Sequence, residues 1–170
     1  MTTLAPDEKT TLVMVYTQNA LVRGEVNTKV NVRVSIWLRT DGAPRYLHLN
    51  NAQMLFFGGG PAKSYNYSEI YVPVASVLSF HIAPPAKEPL DYEPGEKNRA
   101  VQLLSVGVGT FIFKANMRYS AQSGFGSSLE MIHTWSSLYD AEINNPNLPQ
   151  MPAIQVPMLL VNPAQVTFGI

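Results

Sequence analysis

The three histidines of the chain are the first candidates for chemistry, because imidazole nitrogens bind metals and transfer protons near neutral pH. They are His48, His81 and His133, and they stand far apart in the sequence. A metal site needs ligands that converge on one point, and this spacing supplies no such cluster. His48 stands between two leucines, so strand alternation predicts a solvent-facing side chain. The histidines therefore predict no metal site and no catalytic residue.

The carboxylates are the second source of possible acid and base catalysis. Of the twelve acidic residues, four lie within residues 83–99 and two lie in the N-terminal tail. General acid or base work needs a carboxylate that is buried or coupled to another charge. Asp140 and Glu142 are expected on one side of a strand, but both point to water in that reading. The sequence therefore predicts a protein that is not an enzyme.

One segment resembles a phosphate-binding loop, but it lacks the residues that make the loop work. Residues 57–64 read FGGGPAKS, and the two glycines that the motif requires are replaced by Phe57 and Ala62. The chain also has no cysteine, which excludes disulfides, thiolate metal ligands and cysteine nucleophiles. No cofactor is predicted.

Aromatic residues of the first half give the main functional expectation. Tyrosines alternate with small polar residues in residues 64–68, a pattern typical of an exposed sheet face or an interface. A rigid side chain with an apolar body and a polar tip supplies contact area at little entropic cost. The candidate interface residues are Tyr65, Tyr67, Tyr71 and Trp37. They predict association with a protein partner or with another copy of the chain.

An alternative reading starts from the basic residues. Residues 10–82 hold six basic and three acidic residues, whereas residues 100–170 hold two and three. A basic first half that also carries aromatic residues could bind nucleic acid or a nucleotide by ion pairing and stacking. The candidate contacts for this alternative are Arg23, Arg33, Arg39 and Arg45.

Local patterns predict strands and short turns throughout the chain. Residues 11–16 form a continuous apolar run, and residues 30–34 alternate with period two, both typical of strands. Residues 34–40 could continue the strand or form one helical turn capped by Ser35. In the second half, Ser127 and Glu130 stand at capping-box spacing, which favours a short helix there. No long helix is predicted.

The two halves of the chain can be aligned with each other. Residues 15–26 match residues 106–117 without a gap, residues 35–38 match 128–131, and residues 49–54 match 138–143. Residues 83–99 are rich in proline and charge, which is typical of a semi-rigid linker. The sequence therefore predicts an all-β chain with two tandem small β-barrel or bent-sheet domains, at residues 10–82 and 100–170, related by internal duplication.

The composition sets the expected environment of the protein. Apolar residues make up 46% of the chain and charged residues only 14%, with a formal net charge of zero. A surface with so few charges is expected to be covered in part by a partner. The absence of a signal-peptide pattern, of a long apolar run and of cysteine predicts a cytoplasmic protein that does not associate with membranes.

Three motifs of the first half resemble an uncharacterised bacterial family of small β domains. They are residues 33–38 (RVSIWL), 45–52 (RYLHLNNA) and 72–77 (VPVASV), and the second half keeps the last two in recognisable form. This resemblance implies a small β fold and no known activity. The segments 72–82 and 161–170 are also similar to the closing strands of Sm-like barrels, a likeness of fold that assigns no function.

Overall fold

The computed structural model describes residues 4–170, which form one ten-stranded antiparallel sheet and three short helical pieces. The first half contributes the strands β1 (Glu8–Tyr16), β2 (Ala20–Lys29), β3 (Tyr46–Phe56), β4 (Lys63–Pro73) and β5 (Ser79–Ile82). The second half contributes β6 (Arg99–Val108), β7 (Phe111–Ser120), β8 (Ser136–Asn144), β9 (Ile154–Val161) and β10 (Thr167–Gly169). The helical pieces are two 3-10 helices (Val34–Arg39 and Val74–Ser76) and α1 (Phe125–Glu130). The predicted all-β class is confirmed.

The order of the strands in the sheet is the same in each half. Along the sheet it runs β10-β6-β7-β8-β9 and then β5-β1-β2-β3-β4. In each block the closing strand of the half comes first and pairs with the opening strand. No ladder among the described residues joins β4 to β5 or β9 to β10, so neither half closes a barrel with its own backbone hydrogen bonds.

Irregularities of the sheet also occur at matching places in the two halves. The β2–β3 register shifts between Arg23 and Glu25, and the β7–β8 register shifts between Lys114 and Asn116. The facing strands each hold a residue in the left-handed region, Asn51 with φ 48° and Asp140 with φ 49°. A bulge of this kind increases the local bend and twist of a sheet. Both halves therefore bend at the positions that the sequence alignment pairs.

The core consists of two hydrophobic clusters, one for each half. The first-half cluster takes most of its residues from β1 to β5 and adds Leu160 of β9. The second-half cluster takes most of its residues from β6 to β9 and adds Leu21 and Leu78 of the first half and Ala83, which follows β5. β1 lies between them, because Val13 and Val15 join the first-half cluster while Met14 and Tyr16 join the second-half cluster. Burial on both faces explains why the sequence of β1 is a continuous apolar run and does not alternate.

The predicted strand at residues 30–34 is wrong. β2 ends at Lys29, residues 30–31 form a turn, and a 3-10 helix begins at Val34. The expected cap by Ser35 is also wrong, because Ser35 lies inside the helix. The carboxylate of Glu88 caps the helix, and the amides of Val34 and Ser35 donate to its two oxygens over 3.0 and 2.9 Å. A distant carboxylate thus takes the place of a local hydroxyl.

The capping box expected in the second half is not formed either. α1 begins at Phe125, after Gly124 in a left-handed conformation with φ 72°, so Ser127 is already its third residue. The hydroxyl of Ser128 instead donates to the carbonyl of Gly124 over 2.7 Å. The helix at this position was predicted, but its first turn lacks a side-chain cap.

Residues 83–98 connect the halves without regular secondary structure, and we call them the crossover segment. Its Glu88 caps the 3-10 helix Val34–Arg39, which we call the first-half helix, and forms an ion pair of 3.5 Å with Lys9. Burial alone would raise the pKa of Glu88, but the hydrogen bonds from Ser35 and Val34 lower it below the usual value. The predicted linker is therefore bound along the first half.

Candidate assembly interface

The two halves are joined by strand addition, and we call this contact the inter-half junction. β5 pairs with β9 in antiparallel register, with Ser79 facing Val161 and Phe80 facing Leu160. The hydroxyl of Ser79 donates to the carbonyl of Leu160 over 2.8 Å. The amide of Asn162 extends the ladder by donating to the carbonyl of Leu78, also over 2.8 Å. The backbone hydrogen-bonding groups at the edge of one half are therefore paired with those at the edge of the other half.

Apolar side chains pack across the inter-half junction on both faces of the sheet. Leu160 of β9 is fully buried in the first-half cluster, and Trp135, just before β8, packs against the same cluster. On the other face, Tyr16 of β1 meets Phe111 and Phe113 edge to face, with ring centroids 5.0 and 5.1 Å apart. Such contacts add to the free energy gained by burial alone.

A buried tyrosine and histidine lie beside the inter-half junction. The hydroxyl of Tyr16 and Nε2 of His81 are 3.0 Å apart, and Nδ1 of His81 is 2.8 Å from the carbonyl oxygen of Ile82. A carbonyl only accepts, so Nδ1 carries the proton and Nε2 accepts from Tyr16. Burial lowers the pKa of His81 to about 4 and raises that of Tyr16. The pair is neutral and is part of the core.

The crossover segment adds a polar contact between the halves. Its Asp91 accepts hydrogen bonds from Ser137 and Tyr139 of β8 over 2.6 Å each. Arg39 of the first-half helix forms an ion pair of 2.8 Å with the same carboxylate and donates to the hydroxyl of Ser137. Burial alone would raise the pKa of Asp91, but these donors lower it. One carboxylate therefore holds groups from both halves.

The hairpin turns of the two halves also touch. Gly109, in the β6–β7 turn, has φ 58°, and a Cβ built on it would lie 2.9 Å from the carbonyl oxygens of Thr17 and Gln18. Glycine is required here both by the backbone conformation and by the close approach of the β1–β2 turn.

Within residues 4–170, the strand at each end of the sheet has one edge without a partner strand. β4 forms one end and β10 forms the other. Tyr65, Tyr67 and Tyr71 occupy alternate positions of β4 and are 41%, 38% and 58% exposed. Beside β10, Ile170 is 86% exposed. Free edges with exposed aromatic and aliphatic side chains are surfaces on which another strand can pair.

The structure brings three of the four predicted interface residues together. Tyr65, Tyr67 and Tyr71 share the free edge β4, where Tyr71 stacks on His48 with ring centroids 4.5 Å apart. His48 is exposed, and its Nε2 lies 3.1 Å from a carboxylate oxygen of Glu69. Trp37 lies in the 3-10 helix instead, packs against the first-half cluster and donates to the carbonyl of Gly42 over 3.1 Å.

The four arginines of the nucleic-acid alternative do not share one free surface. Arg33 precedes the first-half helix and binds the carbonyl of Pro89, and Arg39 is the last residue of that helix and binds Asp91. Arg23 on β2 and Arg45 before β3 are exposed. Two of the four positive charges are thus engaged within the molecule.

Several residues of the inter-half junction carried only a weak signal in the sequence. Residues 151–170 contain no charge, which is consistent with a buried strand or a docking surface, and β9 lies in this stretch. Leu160 could have been suspected from that feature. The partner strand β5 could not, because its pairing with β9 links residues 81 positions apart.

Among residues 4–170, no group of three or more histidine and acidic side chains is placed to bind a metal ion, and no helix has the length and apolarity needed to span a membrane. Comparison with known proteins found no matching family model, no similar curated protein and no similar solved structure.

Proposed function

We propose that this chain is a cytoplasmic protein-assembly module that acts by binding and not by catalysis, and that the free strand edges are its binding surfaces. The observation that carries the proposal is the inter-half junction. There the chain already joins two similar five-strand blocks into one sheet by pairing β9 with β5. The same kind of surface is left open at β4 and at β10.

The proposal includes an internal duplication as the origin of the two halves. The repeated strand order, the two matched register shifts and the matched left-handed residues Asn51 and Asp140 support it. A unit that was duplicated in tandem keeps the binding edges of the original at each end of the pair. The low charge of the chain and the exposed tyrosines of β4 are in keeping with such edges being covered.

Light scattering coupled to size exclusion tests the proposal directly. The monomer has a mass of 18.8 kDa, and we expect the parent protein to elute at a multiple of it. Tyr67→Glu and Tyr71→Glu place a charge on the free edge, so each should lower the mass while the circular dichroism spectrum is kept. Val30→Glu is the control, because Val30 is 57% exposed in a turn away from either edge. A monomeric parent protein would contradict the proposal.

A further inference from the structure

We infer that the partner at the free edges is a second copy of this chain, bound head to tail, so that β10 of one copy pairs with β4 of the next. The inference rests on the proposed function and adds the occupant, the polarity and the register. Its template is the inter-half junction, in which the last long strand of one half pairs with the closing strand of the other half. β4 and β10 are the corresponding strands, and in the part of the chain that the structure describes neither has such a partner.

Positions on β4 can be matched to positions on β9 through their shared pairing. Leu47 pairs with Val72 on β4 as Ser136 pairs with Val161 on β9. Val72 therefore takes the place of Val161, and Tyr71 takes the place of Leu160. In the inter-half junction those two positions are the ones that face β5.

Positions on β10 can be matched to β5 in the same way. Tyr16 pairs with Ser79 in the first half, and the equivalent residue of the second half, Gly107, pairs with Thr167. Thr167 therefore takes the place of Ser79 and keeps a hydroxyl, and Phe168 takes the place of Phe80 and keeps the aromatic ring. The register predicted between copies is Thr167 with Val72 and Phe168 with Tyr71.

The side chains at these edges are exposed where their counterparts are covered. Leu160 is fully buried, whereas Tyr71 is 58% exposed. Trp135 packs on the first-half cluster, whereas Tyr46, at the matching place before Leu47, is 52% exposed. A head-to-tail contact with the geometry of the inter-half junction would cover both tyrosines.

The second half also exposes apolar side chains whose counterparts in the first half are covered. Leu12 and Leu21 of the first half pack against the second-half cluster across the inter-half junction. The matching residues of the second half, Leu103 on β6 and Ile112 on β7, are 61% and 38% exposed. The first half of a further copy, added at β10, would bury them as the second half buries Leu12 and Leu21. Burial of such surfaces is the main driving force of stable association.

The contact between copies is expected to be weaker than the inter-half junction. Pro73 stands where Asn162 donates to Leu78 in the inter-half junction, so the copy-to-copy ladder has one donor fewer. The two edges differ from each other, so the interface is heterologous. Each copy then offers one edge of each kind, and repeated addition gives a ring or an open chain.

Engineered cysteines test the register, because the chain has no cysteine of its own. Paired residues of antiparallel strands lie about 4.5–5.5 Å apart at Cα, within the range of about 4.4–6.8 Å that a disulfide spans. We expect a mixture of Tyr71→Cys and Phe168→Cys proteins to form a disulfide-linked dimer under mild oxidation, and neither variant to form one alone. Tyr65→Cys mixed with Phe168→Cys is the control, because Tyr65 lies six residues out of register.

A second pair of variants keeps the test decisive if Phe168→Cys, which removes a partly buried ring, does not fold. Glu69→Cys and Ile170→Cys lie two steps further along the same register, and both sites are exposed. Leu103→Lys should also lower the mass of the assembly, whereas Val30→Lys, at a similarly exposed site, should not.

The outcomes separate the two proposals. If Tyr71→Cys crosslinks to itself, or if an assembled protein gives no dimer with either mixed pair, the head-to-tail inference is overturned and the assembly proposal stands. If the parent protein is monomeric, both are overturned. Mixed-pair crosslinking together with a mass above 18.8 kDa supports both.

Discussion

Lowering the pH from 7 to 5 is expected to destabilise the fold by about 2 kcal/mol through the single buried histidine His81. Its imidazole has no exposure to solvent and accepts a hydrogen bond from Tyr16 at Nε2. Burial lowers the pKa from 6.5 to about 4, because the charged form loses its hydration in the core. Between these two values the unfolded chain binds a proton that the folded chain does not. The free energy of unfolding therefore falls as the pH falls.

The magnitude follows from the pKa difference. Each pKa unit corresponds to about 1.36 kcal/mol, so the full loss approaches about 3 kcal/mol below pH 4. Above pH 5 most carboxylates remain ionised in both states, so they contribute little to the slope between pH 7 and 5. Urea unfolding followed by circular dichroism at half-unit pH intervals measures this slope.

The matched variant replaces both partners of the hydrogen bond. Tyr16→Phe with His81→Leu removes the Tyr16–His81 hydrogen bond together with the titrating site, so the slope should disappear. The Ile82 carbonyl also loses its donor, which lowers the free energy of unfolding equally at every pH. Val30→Gln, at an exposed position without a titrating group, is the control and should keep the parent slope. An unchanged slope in the double variant, or an NMR titration that places the pKa of His81 near 6.5, would refute the reasoning.

Three further predictions concern other contacts between the two halves and the basic residues. Gly109→Ala should lower the free energy of unfolding by at least about 1–2 kcal/mol in urea titrations, since φ is positive and the Cβ would strike two carbonyl oxygens, whereas Gly60→Ala, with open space around it, should not. In the same assay, Asp91→Asn should lower the free energy of unfolding by about 1–3 kcal/mol because it weakens three hydrogen bonds. Glu93→Gln, at an exposed site in the crossover segment, should leave the free energy of unfolding unchanged. The protein should not be retained on a heparin column, since Arg33 and Arg39 are engaged by the crossover segment. If the parent protein is retained and the double variant Arg23→Glu, Arg45→Glu is not, nucleic-acid binding would be favoured instead.

Local sequence patterns predicted the strands where one physical cause dominates. The apolar run at residues 11–16 became β1, which is buried on both faces. The pattern at residues 30–34 failed because its alternation is short and a remote group decides the outcome. Glu88 supplies the cap that starts a helix at Val34, and no sequence feature near Val34 predicts this contact.

The site was predictable only in part, for a related reason. Alternation of tyrosines with small polar residues correctly indicated an exposed strand at β4. Which strands are edges depends on long-range pairing, and the pairing of β5 with β9 has no local signature. For the same reason Trp37 could not be told apart from the tyrosines by composition, although it packs inward.

The inter-half junction also accounts for two halves that share their bends but differ in their edge side chains. The bulges beside Asn51 of β3 and Asp140 of β8 act through the backbone and bend each half, so both halves need them. Side chains at the edges have different neighbours. Leu160 is buried in the first-half cluster, whereas Tyr71 is exposed on a free edge. A tyrosine tolerates water better than a leucine does, because its hydroxyl remains hydrated. An edge that is exposed before assembly and covered afterwards favours that residue over a purely apolar one.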